Sequence, residues 1–191
     1  MAVPMRVVGK SLARVDAPGK VTGTAVYAAD FALPGMLCGK VLRSPLPHAR
    51  IIRLDVTRAR ALPGVRAVIT AADIPDVRYG GGLKDETVFA KDKVRYVGQP
   101  VAAVAAATPE AAEAGLAAID AVYEPLPAVL DLEAALAPGA PLIHEAWESY
   151  TAIPILHREG NICNRARIVV GDVERGFEEA DRVFEHRFRT G

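Results

Sequence analysis

Apolar and polar positions along this chain change period several times, and each change marks an element. Leu37 to Leu42, Ile51 to Leu54 and Val65 to Thr70 are short β-branched runs between turn residues, which predicts strands. Val56 to Leu62 lies between two of them, with Asp55 placed to accept orphan backbone N–H groups and Pro63-Gly64 placed to stop it, which predicts a short helix. Thr24 to Tyr27 and Val94 to Val97 also read as strands, and Pro34-Gly35 reads as a turn. After the turn at Gly98, Gln99 and Pro100, the run VAAVAA is small and apolar on both faces, as expected of a fully buried central strand.

The strongest helix signal follows. Thr108 is a capping residue, Pro109 occupies the first helical position, and Glu110 complements the helix dipole. Ala112, Leu116, Ile119 and then Val122 or Tyr123 recur at helical spacing, and the pattern passes into a strand at Ala121 to Glu124. Asp131 caps a helix expected over Leu132 to Leu136. Residues 138–165 read as an extended linker anchored by Trp147, Tyr150, Ile153, Ile155 and Leu156. A strand at Ala166 to Val170, a helix at Val173 to Ala180 capped by Asp172, and an alternating strand at Asp181 to Arg189 complete the expectation. That last strand would end at Gly191 with an unpaired edge. The order predicts an α+β fold with a mixed sheet and a few short-to-medium helices.

Composition narrows the class. The chain has 191 residues, 51% hydrophobic and 24% charged, with formal net charge zero. It can bury a core, and it lacks the basic footprint of a nucleic-acid binder. Arg53, Arg58, Arg60 and Arg66 read as solvated charges on a helix and strand ends. No signal peptide is evident and no apolar run approaches the roughly 18–20 residues of a membrane span, so a cytoplasmic location is expected.

Candidate chemistry is sparse. Cys38 and Cys163 lie far apart and read as free thiols. His48, His144, His157 and His186 show no metal-ligand spacing, and each reads as a lone structural histidine. Ser11, Ser44 and Ser149 sit in no nucleophile elbow. Residues 75–92, containing Gly80, Gly81 and Gly82, read as a long surface loop; the glycines could also cradle a phosphate, but no helix follows to supply the N-terminus such a cradle uses. VGDVERG at 170–176 has the wrong spacing for a dinucleotide turn. The residues thus assemble no catalytic, cofactor-binding or metal site.

Three strings carry a resemblance. They are Arg14-x-Asp16 with Lys20-Val21-Thr22-Gly23-x-Ala25-x-Tyr27-x-x-Asp30, then Leu42-Arg43-Ser44-Pro45 with His48-Ala49-Arg50-Ile51, then Val94-Arg95-Tyr96-Val97-Gly98-Gln99-Pro100-Val101-Ala102 followed by Tyr123-Glu124-Pro125-Leu126-Pro127. In this order they resemble the α/β-hammerhead domain at the start of the large subunit of the molybdenum hydroxylases, the family of xanthine dehydrogenase, aldehyde oxidase, 4-hydroxybenzoyl-CoA reductase and carbon monoxide dehydrogenase. Gly171-Asp172-Val173 with Phe177, Ala180 and Asp181 resembles the opening of the next domain, the first molybdopterin-binding one.

The resemblance implies an N-terminal extension over 1–14, a hammerhead over 15–128, a linker over 129–165 and a truncated molybdopterin-binding domain over 166–191. It implies a scaffold that binds no cofactor alone. The assembled enzyme would hydroxylate or oxidise an aldehyde, purine or other heteroaromatic substrate. There a molybdenum–molybdopterin cytosine dinucleotide, or a related pterin, would sit in the molybdopterin-binding domains or subunit. Iron–sulfur clusters would sit on a partner, with a flavin subunit as a further one. Arg43, His48, Arg50 and Gln99 are the candidate inter-domain contacts; for Arg43 and Arg50 an ion pair internal to the domain is the other reading. A stand-alone hammerhead binding module without redox activity, and a nucleotide-binding enzyme using the glycine loop, are the competing functions.

Overall fold

A computed structural model describes residues 7–153 and 159–188. A mixed sheet was expected, and the six strands that form are instead distributed over two sheets. β1 (Cys38–Arg43), β3 (Val65–Thr70) and β5 (Pro100–Ala106) form one sheet in the order β1-β5-β3; β2 (Ala49–Asp55), β4 (Lys93–Val94) and β6 (Asp120–Pro125) form the other in the order β4-β2-β6. The α+β class stands, but every ladder among these strands is antiparallel. The reason is that each connection carries the chain across to the other sheet. β5, helix and β6 therefore cannot close into the parallel unit that a crossover helix ordinarily makes.

The helices are α1 (Ala17–Val21), α2 (Thr57–Arg60), α3 (Pro109–Ala117), α4 (Leu132–Leu136) and α5 (Val173–Glu178). Caps place their starts. The side chains of Thr108, Asp131 and Asp172 accept from the backbone N–H groups of Ala111, Ala134 and Arg175. Asp55 Oδ1 accepts from Thr57 N at 2.9 Å, although α2 is only four residues long. Gly64, at φ +86°, supplies the left-handed turn after it.

Two apolar clusters meet between the sheets. Ala59, Val68, Ala102, Val104 and Ile119 form one; Ala49, Ala90, Val94 and Val101 form the other, and Leu42 and Leu54 touch both. Helix α3 lies against β5 at Gly115. A methyl built on Gly115 would stand 2.7 Å from Cγ1 of Val104 and 3.2 Å from Cγ2 of Val65, so glycine sets the helix-to-sheet distance.

Four expected strands change. Thr24 to Tyr27 pairs with nothing; Val26 and Tyr27 are exposed, and the carbonyl of Gly19 accepts from Thr24 N and Ala25 N. Val94 to Val97 contracts to Lys93–Val94, because Gly98 at φ +88° and the Gln99 N to Tyr96 O bond turn the backbone at once. Ala166 to Val170 and the described part of Asp181 to Arg189 enter no ladder, and Ile168, Val170, Phe184 and Phe188 are exposed. The alternation of the last segment survives in its rings: Phe184 and His186 stack at 6.4 Å and His186 meets Phe188 at 6.1 Å. Both segments have strand-forming residues but pair with no strand. Arg189, Ile155, Leu156 and His157 lie outside the described residues.

The long loop is also less free than expected, since Phe89 and Ala90 are buried and Ala90 N donates to Pro100 O at 2.8 Å. No helix among the described residues is long and apolar enough to cross a membrane.

Alanine is a better helix former than glycine by about 1 kcal/mol. Overpacking against the β-branched, stiff Val104 outweighs this, so Gly115→Ala should destabilise the fold by about 1–3 kcal/mol. Pairing it with Val104→Ala should give a smaller loss than the sum of the two. Urea midpoints of the two single variants and the pair check both statements; an unchanged or raised midpoint for Gly115→Ala would refute the packing argument.

Candidate functional site

The second and third of the strings that carry the resemblance are bonded to one another. Ser44 N donates to Gln99 O at 2.9 Å, Gly98 N donates to Ser44 O at 2.8 Å, and Arg43 Nη1 donates to Gly98 O at 2.9 Å. The turn between β4 and β5 is thereby fixed to the end of β1. Gln99 is 7% exposed, and its Oε1 accepts from Arg95 N at 2.7 Å, occupying an N–H that a longer strand would have paired. His48, 5% exposed, lies 2.6 Å through Nδ1 from Pro127 O, and Leu126 N donates back to His48 O at 2.9 Å. A carbonyl only accepts, so His48 Nδ1 is the donor in this contact. His48 Nε2 and the Tyr123 hydroxyl are buried without a partner among the described residues. Burial also pushes the Tyr123 phenol up from its ordinary value.

The first string stands apart. Arg14 makes a two-pronged contact with Asp16 at 3.0 and 2.8 Å, and Lys20 reaches the same carboxylate at 2.5 Å, all exposed around the start of α1. The hydrogen bond from Arg14 first, and then that from Lys20, hold the Asp16 carboxyl below its usual value.

Arg50 and Arg43 differ in environment. Arg50 Nε lies 3.4 Å from Glu124 Oε2 across the β2–β6 ladder, with both side chains exposed. Arg43 binds a carbonyl and no carboxylate. Of the other arginines, Arg53 pairs with Asp120 at 2.5 Å and Arg60 with Asp73 at 3.2 Å.

Beside Gln99 the surface sinks into a recess of about 270 Å³, lined by Asp85, Glu86, Thr87, Arg95, Tyr96, Gln99 and His144. Residues 143–153 form a strap along it. Arg95 Nε donates to Ile143 O at 2.9 Å, and Lys93 pairs with Glu145. Lys84 N donates to Thr151 O at 2.8 Å, and Ile153 N to Gly82 O at 2.9 Å. Tyr150 is buried; its ring lies 4.4 Å under the Arg78 guanidinium and edge-on to His144, whose Nδ1 is 3.2 Å from the Tyr150 hydroxyl. The Trp147 and Tyr150 anchors therefore belong to this strap. Except for Gln99, the recess was not expected, because its lining comes from three separated segments and no local spacing joins them.

Desolvation, and then the nearby Arg95 charge, push the His144 imidazole below its ordinary value; Arg78 adds to this, while Asp85 and Glu145 oppose it. Burial pushes the Glu145 carboxyl up, but the hydrogen bond from Lys93, its own backbone, and the charges of Lys93 and Arg95 outweigh it, leaving it low.

Among the described residues no three His, Cys, Asp or Glu side chains converge to hold a metal. Cys38 is half-buried on β1, Cys163 is exposed, and both are free. A side chain on Gly80 would fall 2.0 Å from Leu83 O, so the backbone closes the turn at that residue, and no helix follows it to supply an N-terminus for a phosphate.

The family model for the aldehyde oxidase and xanthine dehydrogenase a/b hammerhead domain matches residues 22–127. The chain belongs to this family. Its hammerhead contains both the bonded strings and most of the recess, whereas the strap lies beyond the matched residues. A probable xanthine dehydrogenase component of Bacillus subtilis (strain 168) is 44% identical over 179 residues, covering 93% of this chain and 22% of that protein. The nicotinate dehydrogenase large molybdopterin subunit of Eubacterium barkeri is 39% identical over 191 residues, covering 100% of this chain and 42% of that protein. Among solved structures, reconstituted CO dehydrogenase from Oligotropha carboxidovorans matches with a TM-score of 0.65 and 39% identity over 72% of this chain and 18% of that one. Quinoline 2-oxidoreductase from Pseudomonas putida 86 matches with a TM-score of 0.62 and 38% identity over 71% of this chain and 18% of that one. The hammerhead chain thus spans less than half the length of each of these relatives.

Two outcomes are expected of the site. Gln99→Met removes the acceptor for the half-buried Arg95 N–H, which should cost about 1 kcal/mol in urea unfolding; a loss within error would show that the N–H finds another acceptor. The folded-state value of His144 lies below the unfolded one, near 6.5. Its contribution is therefore whole above about pH 6.5 and is lost as pH falls from there through the folded-state value. His144→Gln should flatten the stability change between pH 7.5 and pH 5.5 relative to wild type; identical slopes would remove His144 as the source.

Proposed function

We propose that this chain is the non-catalytic N-terminal scaffold of a molybdopterin-dependent oxidoreductase, as a fragment or split subunit. The assembled enzyme would hydroxylate or oxidise an aldehyde, purine or other heteroaromatic substrate. In this reading residues 15–128 are the hammerhead, 129–165 a linker that includes the strap, and 166–191 the opening of the first molybdopterin-binding domain. The chain binds no cofactor alone. The molybdenum–pterin group belongs to the molybdopterin-binding domains or subunit, with iron–sulfur and flavin groups on partners in the cytoplasm. Arg43, His48, Arg50 and Gln99 contact those neighbours.

One observation carries the reading. The family match is specific, yet the matched chain amounts to only 22% of the Bacillus subtilis relative and 42% of the Eubacterium barkeri one. The absence of a metal-binding cluster among the described residues is compatible with a cofactor held elsewhere. The exposed Val15, Tyr27, Phe31, Ile168, Phe177 and Phe184 support it, since side chains of this size are ordinarily covered.

The test is purification of the tagged chain, alone and from cells expressing its neighbouring reading frames. Alone, elemental analysis should find no stoichiometric molybdenum. With its neighbours, the chain should bring down a molybdenum-bearing chain of the family. Stoichiometric metal on the isolated chain overturns the first part. A partner-free monomer under both conditions overturns the second and favours a stand-alone binding module.

A further inference from the structure

β5 is apolar on both faces; Val101 at its start is buried in the second cluster, but among the described residues the part of that face around Ala103 and Ala105 is only half-covered. On the covered face Val104 meets Gly115 of α3, and Lys40 of β1 pairs with Glu113 of the same helix at 3.0 Å. On the other face the register sets Gly39, Ala105 and Ala67 in one row and Val41, Ala103 and Ile69 in the next. All six are apolar, and Val41 and Ile69 are 38% and 42% exposed. An antiparallel sheet with one face in water ordinarily alternates apolar and polar residues; a strand without polar residues on either face belongs between two layers.

We propose that this second face seats an apolar helix of the molybdopterin-binding portion of the assembled enzyme, so that the β1-β5-β3 sheet is the middle layer of three. The proposal rests on the functional reading above and adds the surface through which the scaffold is held. The choice of occupant rests on chain length. In the two solved relatives this fold makes up 18% of the chain, which leaves more than four-fifths of each to supply the missing layer. The six positions themselves carry no charge, and Arg43 at the end of β1 and Arg66 at the start of β3 lie at their margins. Alanine and glycine in the centre of the face admit a helix as closely as α3 approaches the opposite side, with Val41 and Ile69 as flanking walls.

The test uses the tagged full chain expressed with its neighbouring reading frames, and reads molybdenum and pterin content together with the identity of the captured chain. Val41→Lys/Ile69→Lys should lower captured molybdenum at least tenfold. Ile52→Lys, at an exposed position on the other sheet, should leave it unchanged. Thermal melts of the isolated variants should match wild type, separating lost docking from lost folding. Capture by the double variant equal to wild type overturns the inference while leaving the functional reading intact. Failure of wild type itself to capture a molybdenum-bearing chain overturns both. Self-association of the isolated chain that the double variant abolishes overturns it in favour of a second copy as occupant.

Discussion

Between Gly115 of α3 and Val104 of β5 there is no room for a methyl group. That close approach lets one short helix cover the centre of a three-stranded sheet, and it holds together the cluster of Ala59, Val68, Ala102, Val104 and Ile119. Ala102 and Ala106 on the same strand are fully buried for the same reason, since larger side chains would lift the helix away. From β5 the second cluster follows through Val101, and through it the β4 turn that presents Gln99. The recess and the bonded strings are thus positioned by packing that lies a layer beneath them.

Much of this was legible because it is local. Val65–Thr70 and Leu132–Leu136 have the expected ends, since Pro63-Gly64 and Asp131 act on the residues beside them. The Thr108-Pro109 start of α3 is of the same kind. The failures share a cause. Thr24 to Tyr27, Ala166 to Val170 and Asp181 to Phe188 have strand composition, but a strand also needs an edge to join, and no local pattern reports whether one is available. The division into two sheets was hidden likewise, because register is a property of residues far apart in sequence.

The candidate site divides along the same line. Arg43, His48 and Gln99 were singled out through their strings, and the structure gives the strings a physical reason: the backbone of Ser44 is bonded to Gly98 and Gln99, and His48 to Leu126 and Pro127. His144 looked like one more isolated histidine. Its meeting with Arg95, Arg78 and Tyr150 depends on a strap nearly fifty residues away from the turn it covers, and only the apolar anchors Trp147 and Tyr150 hinted at a surface beneath.

The division of strands has a kinetic consequence. Odd-numbered strands lie in one sheet and even-numbered strands in the other, so none of the six pairs with its neighbour in sequence. No ladder among them can start as a hairpin. Every such pairing must close a loop of tens of residues before any contact repays the lost chain entropy, which is the circumstance that makes folding slow. β5 joins the sheet it centres only after most of the hammerhead has emerged, and β6 later still. The half-built domain therefore waits with open strand edges, which is the state in which a nascent chain is most exposed to pairing with other chains.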